Sequence, residues 1–541
     1  MGFSDIGCYG GEIDTPNLNA LAANGLRFTQ FYNTARCSPS RASLLTGLHP
    51  HQVGVGILTA YDGPDGYEGH LNHNGVTSAE VLRKAGYGTY MSGKWHLTRN
   101  DDLYNPDDDT WPCKRGFDHH FGTLCGAGNY FSPRTIQRDG RVIEQEVRDD
   151  PDFYYTDAIS DQAVAYIEGH FAATPDRPFF QYVAYTAPHW PLHAKPQDIA
   201  KYRGRFAAGW DALRRERLQR MIAMGLIDPA WKLTDRDPEV PAWENVEHKS
   251  WEERRMEVYA AQVDCMDQGI GRILACLRRL GQLDNTLVIF LADNGGCAEE
   301  LEGEWARQLA RRHTNEIASG STTPNGRPVQ YGNDPDVMPG DESTYQSYGV
   351  PWANLSNTPF RLYKHWTHEG GIATPFIVHW PKGLAAKGEW RRQPAQLTDV
   401  MATILDVTGA AYPAEHDGHA ILPCEGQSLA PVFAGGDRDV TLFFEHEGNA
   451  AVRRGRWKLV KNFPGSPTGR RSGGRPATPS PWELYDVGAD RTEMHDLAGE
   501  HPQVVEELAA AWDAWAGRCG VIPRERILDI QKAWRERQAG G

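Results

Sequence analysis

Cys37 opens the run Cys37-Ser38-Pro39-Ser40-Arg41, with Leu45-Thr46-Gly47 close behind it, and is a candidate catalytic nucleophile. The pattern predicts a helix whose first residue is Pro39, following Ser38, with Leu44, Leu45 and Leu48 as its apolar face and Gly47 near its stop. Cys37 then precedes a helix N-terminus, where unpaired backbone N–H groups and the positive end of the dipole favour an anion. An isolated free cysteine is more often a small buried hydrophobe. Four further clusters carry chemistry: Gly93-Lys94-Trp95-His96, Pro188-His189-Trp190-Pro191, Asp293-Asn294-Gly295-Gly296, and Lys364 ahead of Thr367-His368-Glu369-Gly370-Gly371. His96 and His189 suit acid or base work, since imidazole titrates at about 6.5. Asp293 and Asn294 offer side-chain oxygens to a hard divalent cation, Ca²⁺ or Mg²⁺. Taken singly, Lys94, Lys364 and Arg41 read as solvated charges, the histidines as satisfied loop residues, and Asp-Asn-Gly-Gly as a tight turn.

What unites them is position. Three clusters follow predicted strands, at Gly88 to Ser92, Phe179 to Tyr185 and Leu287 to Leu291, and the fourth precedes one at Pro375 to His379; open parallel sheets place ligands at the carboxyl ends of their strands. Between the strands lie predicted helices: one capped by Thr15-Pro16 and ending at Gly25, one over Ser78 to Ala85, and a long one over Met256 to Leu280. Helix-then-strand order favours parallel pairing. Two polar stretches interrupt the pattern, at 201–249 and 298–354, and the second, rich in Gly, Asn, Pro and Ser, reads as a loop excursion. Beyond Phe433-Ala434-Gly435-Gly436-Asp437 the pattern changes. Leu442 to His446 and Ala451 to Val460 read as antiparallel strands around Gly448-Asn449, the run 465–481 as flexible, Glu483-Leu484-Tyr485-Asp486 as another strand, and Val505, Leu508, Trp512 and Trp515 as the core stripe of a final helix.

Cys-x-Pro-x-Arg with a trailing Leu-Thr-Gly resembles the sulfatase family, of arylsulfatase type within the alkaline-phosphatase superfamily, and the other clusters resemble that family's motifs in chain order from Met1 to Asp496. The resemblance implies hydrolysis of aryl or carbohydrate sulfate esters. It implies that a formylglycine-generating enzyme or equivalent oxidises Cys37 to formylglycine, an aldehyde whose hydrate attacks with one hydroxyl and later expels sulfate with the other. Arg41 and Lys94 would hold the diol, Lys364 and His189 would contact the sulfate and help protonate the leaving oxygen, and His96 would act as base in the elimination. Asp293, Asn294 and the modified Cys37 would hold one Ca²⁺ or Mg²⁺ ion, with Asp293 also placed to take the diol's proton. Sulfate transfer spreads negative charge over oxygens, which positioned cations stabilise. Some relatives use the same aldehyde on phosphorus, so a phosphonate monoester or phosphodiester hydrolase is the alternative, and a non-catalytic binder of sulfated ligands is a third reading.

The resemblance further implies a first core strand ending in two aspartates that complete the metal site. Met1-Gly2-Phe3-Ser4-Asp5 resembles the segment just after it, and Asp5 and Asp14 lie beyond the expected position. The preferred reading places the true start upstream, with Met1 internal to an Asp-Asp-Met-Gly run, and a secretion signal could lie there; the location is then cytoplasmic for the sequence as it stands, or periplasmic or secreted with such a signal.

The totals agree with an enzyme of this size. At 541 residues the chain exceeds one hydrophobic core. The expected architecture is α/β, a large mostly parallel sheet sandwiched by helices over residues 1–436, with a smaller C-terminal α+β subdomain containing an antiparallel sheet over 437–541. A net charge of -15 argues against nucleic acid and requires any sulfate site to be locally basic. The nine cysteines form no Cys-x-x-Cys pair, and no apolar stretch approaches the roughly 20 residues of a membrane span.

Overall fold

The structure, a computed structural model, describes residues 1–312, 320–463 and 480–540. The strand Gly88–Gly93 lies inside one sheet, parallel to Phe179–Ala184 on one side and to His119–Thr123 on the other, with two short antiparallel strands beyond. Alternation along Phe179–Ala184 gives that sheet two covered faces. Phe180 and Tyr182 pack with Ala42 and Leu45, whereas Val183 packs with Tyr155 and Ile159. A second sheet centres on Ala373–His379, antiparallel to Leu26–Tyr32 and to Val288–Leu291. The expected α/β layering is therefore present, but the strands form two mixed sheets, and helix-then-strand order did not make every pairing parallel. The 31-residue helix Lys249–Arg279 packs along Tyr155–Ala173 and starts about two turns before the expected Met256.

Phe179–Ala184 and Val288–Leu291 are each the last strand of their sheet. Every residue of the two is only half-buried except Ala184. Their open edges line a cavity of about 780 Å³, together with Met1 and Tyr259.

The strands Thr441–His446, Asn449–Arg454, Trp457–Lys461 and Glu483–Asp486 form a four-stranded antiparallel sheet under the helix Pro502–Cys519. The expected strand over Ala451 to Val460 is two strands, because Gly455, with φ +55°, turns the chain. The first hairpin turns at Glu447 and Gly448, both with positive φ, a two-residue turn that matches strand twist. The run 465–481 lies outside the described residues apart from 480 and 481. One face of this sheet packs Val452, Leu459 and Leu484 on Leu508, and its other face joins Leu442, Phe444 and Ala451 to the central core.

The stretch 298–354 is not loop throughout. Gly349–Ser356 is a fully buried helix whose Trp352 meets Trp210 edge to face at 5.3 Å. The polar stretch 201–249 contributes Trp210 from the helix Gly209–Ala223. Isolated tryptophans in polar surroundings gave no periodic signal, yet together they build a core. Trp352→Ala should cost about 3–5 kcal/mol in urea unfolding; a loss below about 1 kcal/mol would show that this cluster carries little stability.

An ionic knot joins the C-terminal sheet to the rest. Lys458 Nζ lies 2.9 Å from Glu369 and 2.8 Å from Glu493, and Arg491 Nε lies 2.8 Å from Glu369, all with fully buried side chains. Burial pushes the Glu369 carboxyl up, but Lys458 and Arg491 pull it down further, to about 2, from the ordinary 4.5. Its stabilisation is therefore complete above about pH 4.5 and disappears as pH falls toward 2. Glu369→Gln should flatten the acid limb of the stability profile in that window and cost about 3–5 kcal/mol at neutral pH; an unchanged acid limb would remove Glu369 as its source.

Candidate active site

Cys37 is the first residue of the helix Cys37–Thr46, two positions earlier than the expected start at Pro39, and Gly47, in the left-handed region at φ +71°, ends the helix as its sequence suggested. Pro39 still falls in the first turn, where its missing N–H costs nothing. Cys37 is buried. Burial pushes its thiol up, but Lys94 and Lys364 pull it down further, with help from Arg36 and against Asp293, so it titrates below the ordinary thiol range.

Lys94 is delivered by a backbone contact that only glycine allows. Gly93 ends its strand at φ +112°, and a Cβ there would sit 2.1 Å from the Ala184 carbonyl oxygen; the Lys94 amide donates to that same oxygen at 2.8 Å. Arg41 then ties helix to strand, its Nη1 donating to the Lys94 carbonyl at 2.6 Å while Nε and Nη2 each reach Asp293 Oδ2 at 3.0 Å. Tyr182 Oη is a further partner of Arg41 at 3.4 Å. Burial raises the Asp293 carboxyl, but Arg41 and Lys94 hold it well below the carboxylate range.

The Asp-Asn-Gly-Gly segment is more than a turn. A Cβ on Gly295 would lie 1.9 Å from the Gly370 carbonyl oxygen, and the Gly295 amide donates to Gly371 at 3.0 Å. Two glycine-bearing motifs distant in sequence are thus packed backbone to backbone. Asn294 Nδ2 donates to Gly295 at 2.8 Å, and its buried Oδ1 accepts no hydrogen bond from the protein. An orphaned amide oxygen beside a carboxylate kept ionised is a hard-donor set that fits Ca²⁺ or Mg²⁺.

Lys364 and His189 meet on the other side of the site. Lys364 Nζ lies 3.5 Å from His189 Nε2 and 3.1 Å from Glu299 Oε2. His189 Nδ1 faces the Trp190 carbonyl at 2.8 Å, which assigns the proton to Nδ1 and the lone pair to Nε2. Burial, Lys364 and Lys94 keep His189 neutral, well below the usual histidine range. His96 is likewise held neutral by burial, Lys94 and Arg41; its buried Nδ1 has no hydrogen-bond partner in the protein, and its backbone is left-handed at φ +60°.

Two participants were absent from the sequence reading. Glu299 accepts from Lys364, from Trp190 Nε1 at 2.8 Å, from Cys297 Sγ at 3.0 Å and, through its other oxygen, from Arg36 at 2.8 Å. Burial raises its carboxyl, but Lys364 and Arg36 hold it ionised. The only available signal was nearness to motifs: Glu299 stands three residues after Gly296, and Arg36 immediately before Cys37. His49, His51 and His193 have structural partners: Trp515 at 4.9 Å from His49, Glu445 at 2.6 Å from His51, and the Thr344 carbonyl at 2.5 Å from His193.

Comparison with known proteins matches this chain to one family. The family model for sulfatases matches residues 1–410, and a model described as the C-terminal part of N-sulphoglucosamine sulphohydrolase matches residues 360–513. An arylsulfatase of Klebsiella aerogenes is 33% identical, covering 80% of this chain and 89% of that protein. An uncharacterized sulfatase of Schizosaccharomyces pombe is 32% identical over 96% of this chain and 92% of its own. Among solved structures, Ps i-CgsB in complex with k-i-k-neocarrahexaose shares the fold, with a TM-score of 0.63, 23% identity and coverage of 95% of this chain and 90% of that one. The chain belongs to the sulfatase family of the alkaline-phosphatase superfamily and is an arylsulfatase-like sulfuric ester hydrolase.

Proposed function

We propose that this enzyme cleaves aryl or carbohydrate sulfate esters at a formylglycine derived from Cys37, with Asp293 and Asn294 holding one divalent cation, Ca²⁺ or Mg²⁺. The observation that carries the proposal is the charge set around Cys37: Arg36, Arg41, Lys94 and Lys364 converge on it in a chain of net charge -15, with Asp293 and Glu299 as the carboxylates among them. A pocket with more buried cations than carboxylates is built for an anion.

The hydrated aldehyde would supply two hydroxyls on one carbon, one to take the sulfuryl group from the ester oxygen and the other to release it as sulfate while the carbonyl re-forms. The cation, when bound, would supply positive charge beside a sulfate oxygen. Lys94 has no carboxylate partner among the described residues, so its ammonium is the cation best placed to favour negative charge developing on the sulfuryl oxygens. Lys364 carries the proton at rest, because His189 Nε2 faces it as an acceptor. A proton passing from Lys364, directly or through His189 Nε2, would neutralise the leaving oxygen. His96, kept neutral, is the base that takes the hydroxyl proton during release of sulfate. Trp190, its ring tilted against His189 at 4.5 Å and flanked by Trp305 and Tyr345, supplies an aromatic wall suited to an aryl or sugar group. Maturation would require a formylglycine-generating enzyme or equivalent as a partner.

Two outcomes test this reading. Cys37→Ala should abolish turnover of an aryl sulfate while circular dichroism and thermal midpoint stay near wild type, and the Cys37 peptide from active protein should have the mass of the aldehyde; full activity with an intact thiol would overturn the proposal. Glu299 acts through Lys364, whose ammonium, lowered by burial, is raised further by Cys297 and Glu299. Removing that negative charge in Glu299→Gln should lower the Lys364 pKa, moving the alkaline limb of kcat/KM to lower pH and reducing its plateau about 10- to 100-fold; an unmoved limb with a reduced plateau would assign Glu299 a packing role only.

A further inference from the structure

Beside the sulfate site, but outside the set of residues it uses, three buried side chains come together: His365, His446 and Glu447. One ligand atom from each, two imidazole nitrogens and a carboxylate oxygen, all lie within 4.8 Å of one another. His365 Nδ1 is 3.8 Å from Glu447 Oε2, beyond hydrogen-bonding distance, and the two imidazole rings stand 5.2 Å apart at 86°. The three ligand atoms are close enough together to converge on one central ion after small adjustments, since zinc lies about 2.0–2.2 Å from nitrogen and carboxylate ligands.

The backbone holds the three ligands in place. His446 ends a strand and Glu447 begins the two-residue turn, while His365, at φ +96°, donates its amide to Ala35 at 2.8 Å, two residues before Cys37. Asn449 Nδ2 bridges the two segments, donating to the His365 carbonyl at 3.3 Å and the His446 carbonyl at 3.1 Å. Two arginines stand close by. Arg36 feels the Glu447 charge but bonds Glu299 at 2.8 Å, and Arg524 donates to the Glu447 carbonyl with its guanidinium over Phe463 at 4.4 Å.

We propose that His365, His446 and Glu447 form a second metal site, for a borderline divalent cation of the zinc class, which fastens the hairpin turn of the C-terminal sheet to the loop carrying Lys364. Two imidazoles and one carboxylate are the donor set of four-coordinate zinc with one position left open, and they are a poor match for Ca²⁺, which takes 6 to 8 oxygens. The site is therefore chemically distinct from the oxygen donors Asp293 and Asn294. Its ligands come from two segments about 80 residues apart, so the ion would act as a crosslink at the rim of the sulfate pocket.

The experiment is metal analysis of the full-length protein, stripped with chelator, incubated with zinc chloride in the presence of excess Ca²⁺, and dialysed. One zinc per chain is expected, retained by Asp293→Asn and lost by His446→Ala and by Glu447→Gln. Cobalt in place of zinc should give the intense visible bands of a four-coordinate ion with nitrogen ligands in the wild-type protein, a readout that needs no variant to fold. Zinc should also raise the thermal midpoint of wild type and leave that of His446→Ala unmoved. Absence of tight zinc in protein with native circular dichroism, zinc retained in His446→Ala, or cobalt bands lacking nitrogen ligation would each overturn the proposal.

Discussion

Bringing four cationic side chains out of water into one pocket is the constraint around which the rest of this structure is arranged. Each buried guanidinium or ammonium carries a desolvation penalty of several kcal/mol unless opposite charge and hydrogen bonds offset it. Among the described residues two carboxylates form ion pairs with them and divide the cations between them: Asp293 takes Arg41, and Glu299 takes Arg36 and Lys364. Lys94 is the remainder, and burial together with Arg41 and Lys364 lowers its pKa even as Cys37 and Asp293 oppose them. In the proposed function an incoming sulfate would supply the missing charge. The electrostatic imbalance of the resting site is thus the binding energy for an anion, in a protein whose overall field of -15 would otherwise repel one.

Such a pocket holds its geometry only if the segments bearing the cations cannot relax apart. Backbone contact provides this at Gly93 against Ala184 and at Gly295 against Gly370, where a methyl group could not fit. Burial of the Glu369 knot provides it at longer range. Glu369 stands five residues after Lys364 and anchors Lys458 and Arg491 of the C-terminal region, while Tyr32 Oη, from the sheet beneath, donates to its Oε2 at 3.2 Å. The C-terminal sheet is therefore part of what fixes Lys364, and the motif that seemed only to mark a strand start carries the central carboxylate of that connection.

Cys37 was legible from its Cys-x-Pro-x-Arg run ahead of a helix, and Lys94, His96, His189, Asp293 and Lys364 because each follows or precedes a short apolar segment read as a strand, and strand ends converge by topology. The strand Leu26–Tyr32 went unread, since Arg27, Thr29 and Gln30 interrupt its apolar residues; the structure satisfies Arg27 by stacking on Trp390 at 3.9 Å. The buried helix Gly349–Ser356 was hidden by a Gly- and Pro-bearing start, Gly349-Val350-Pro351, whose turn-like composition masks a core element. Glu299 could not be identified from spacing, because its role depends on where Arg36, Trp190 and Lys364 end up, and no local pattern encodes that meeting.

The distribution of unfavourable backbone points to the same centre. Nine non-glycine residues among those described have φ in the left-handed region, and five of them border this pocket: Ala35 before Cys37, His96 itself, Leu362 and His365 on either side of Lys364, and Glu447 opposite them. Such conformations cost of order 1 kcal/mol or more each and persist where surrounding structure over-determines them. Here the over-determination can be traced: the Ala35 carbonyl accepts the His365 amide, the His96 amide donates to Leu124, and the Leu362 carbonyl accepts from Asn357 at 2.8 Å. These residues adjoin Cys37, His96 and Lys364, the side chains proposed for catalysis. The strain and the uncompensated positive charge are therefore two expressions of one requirement, that the site be assembled before the substrate arrives rather than by it.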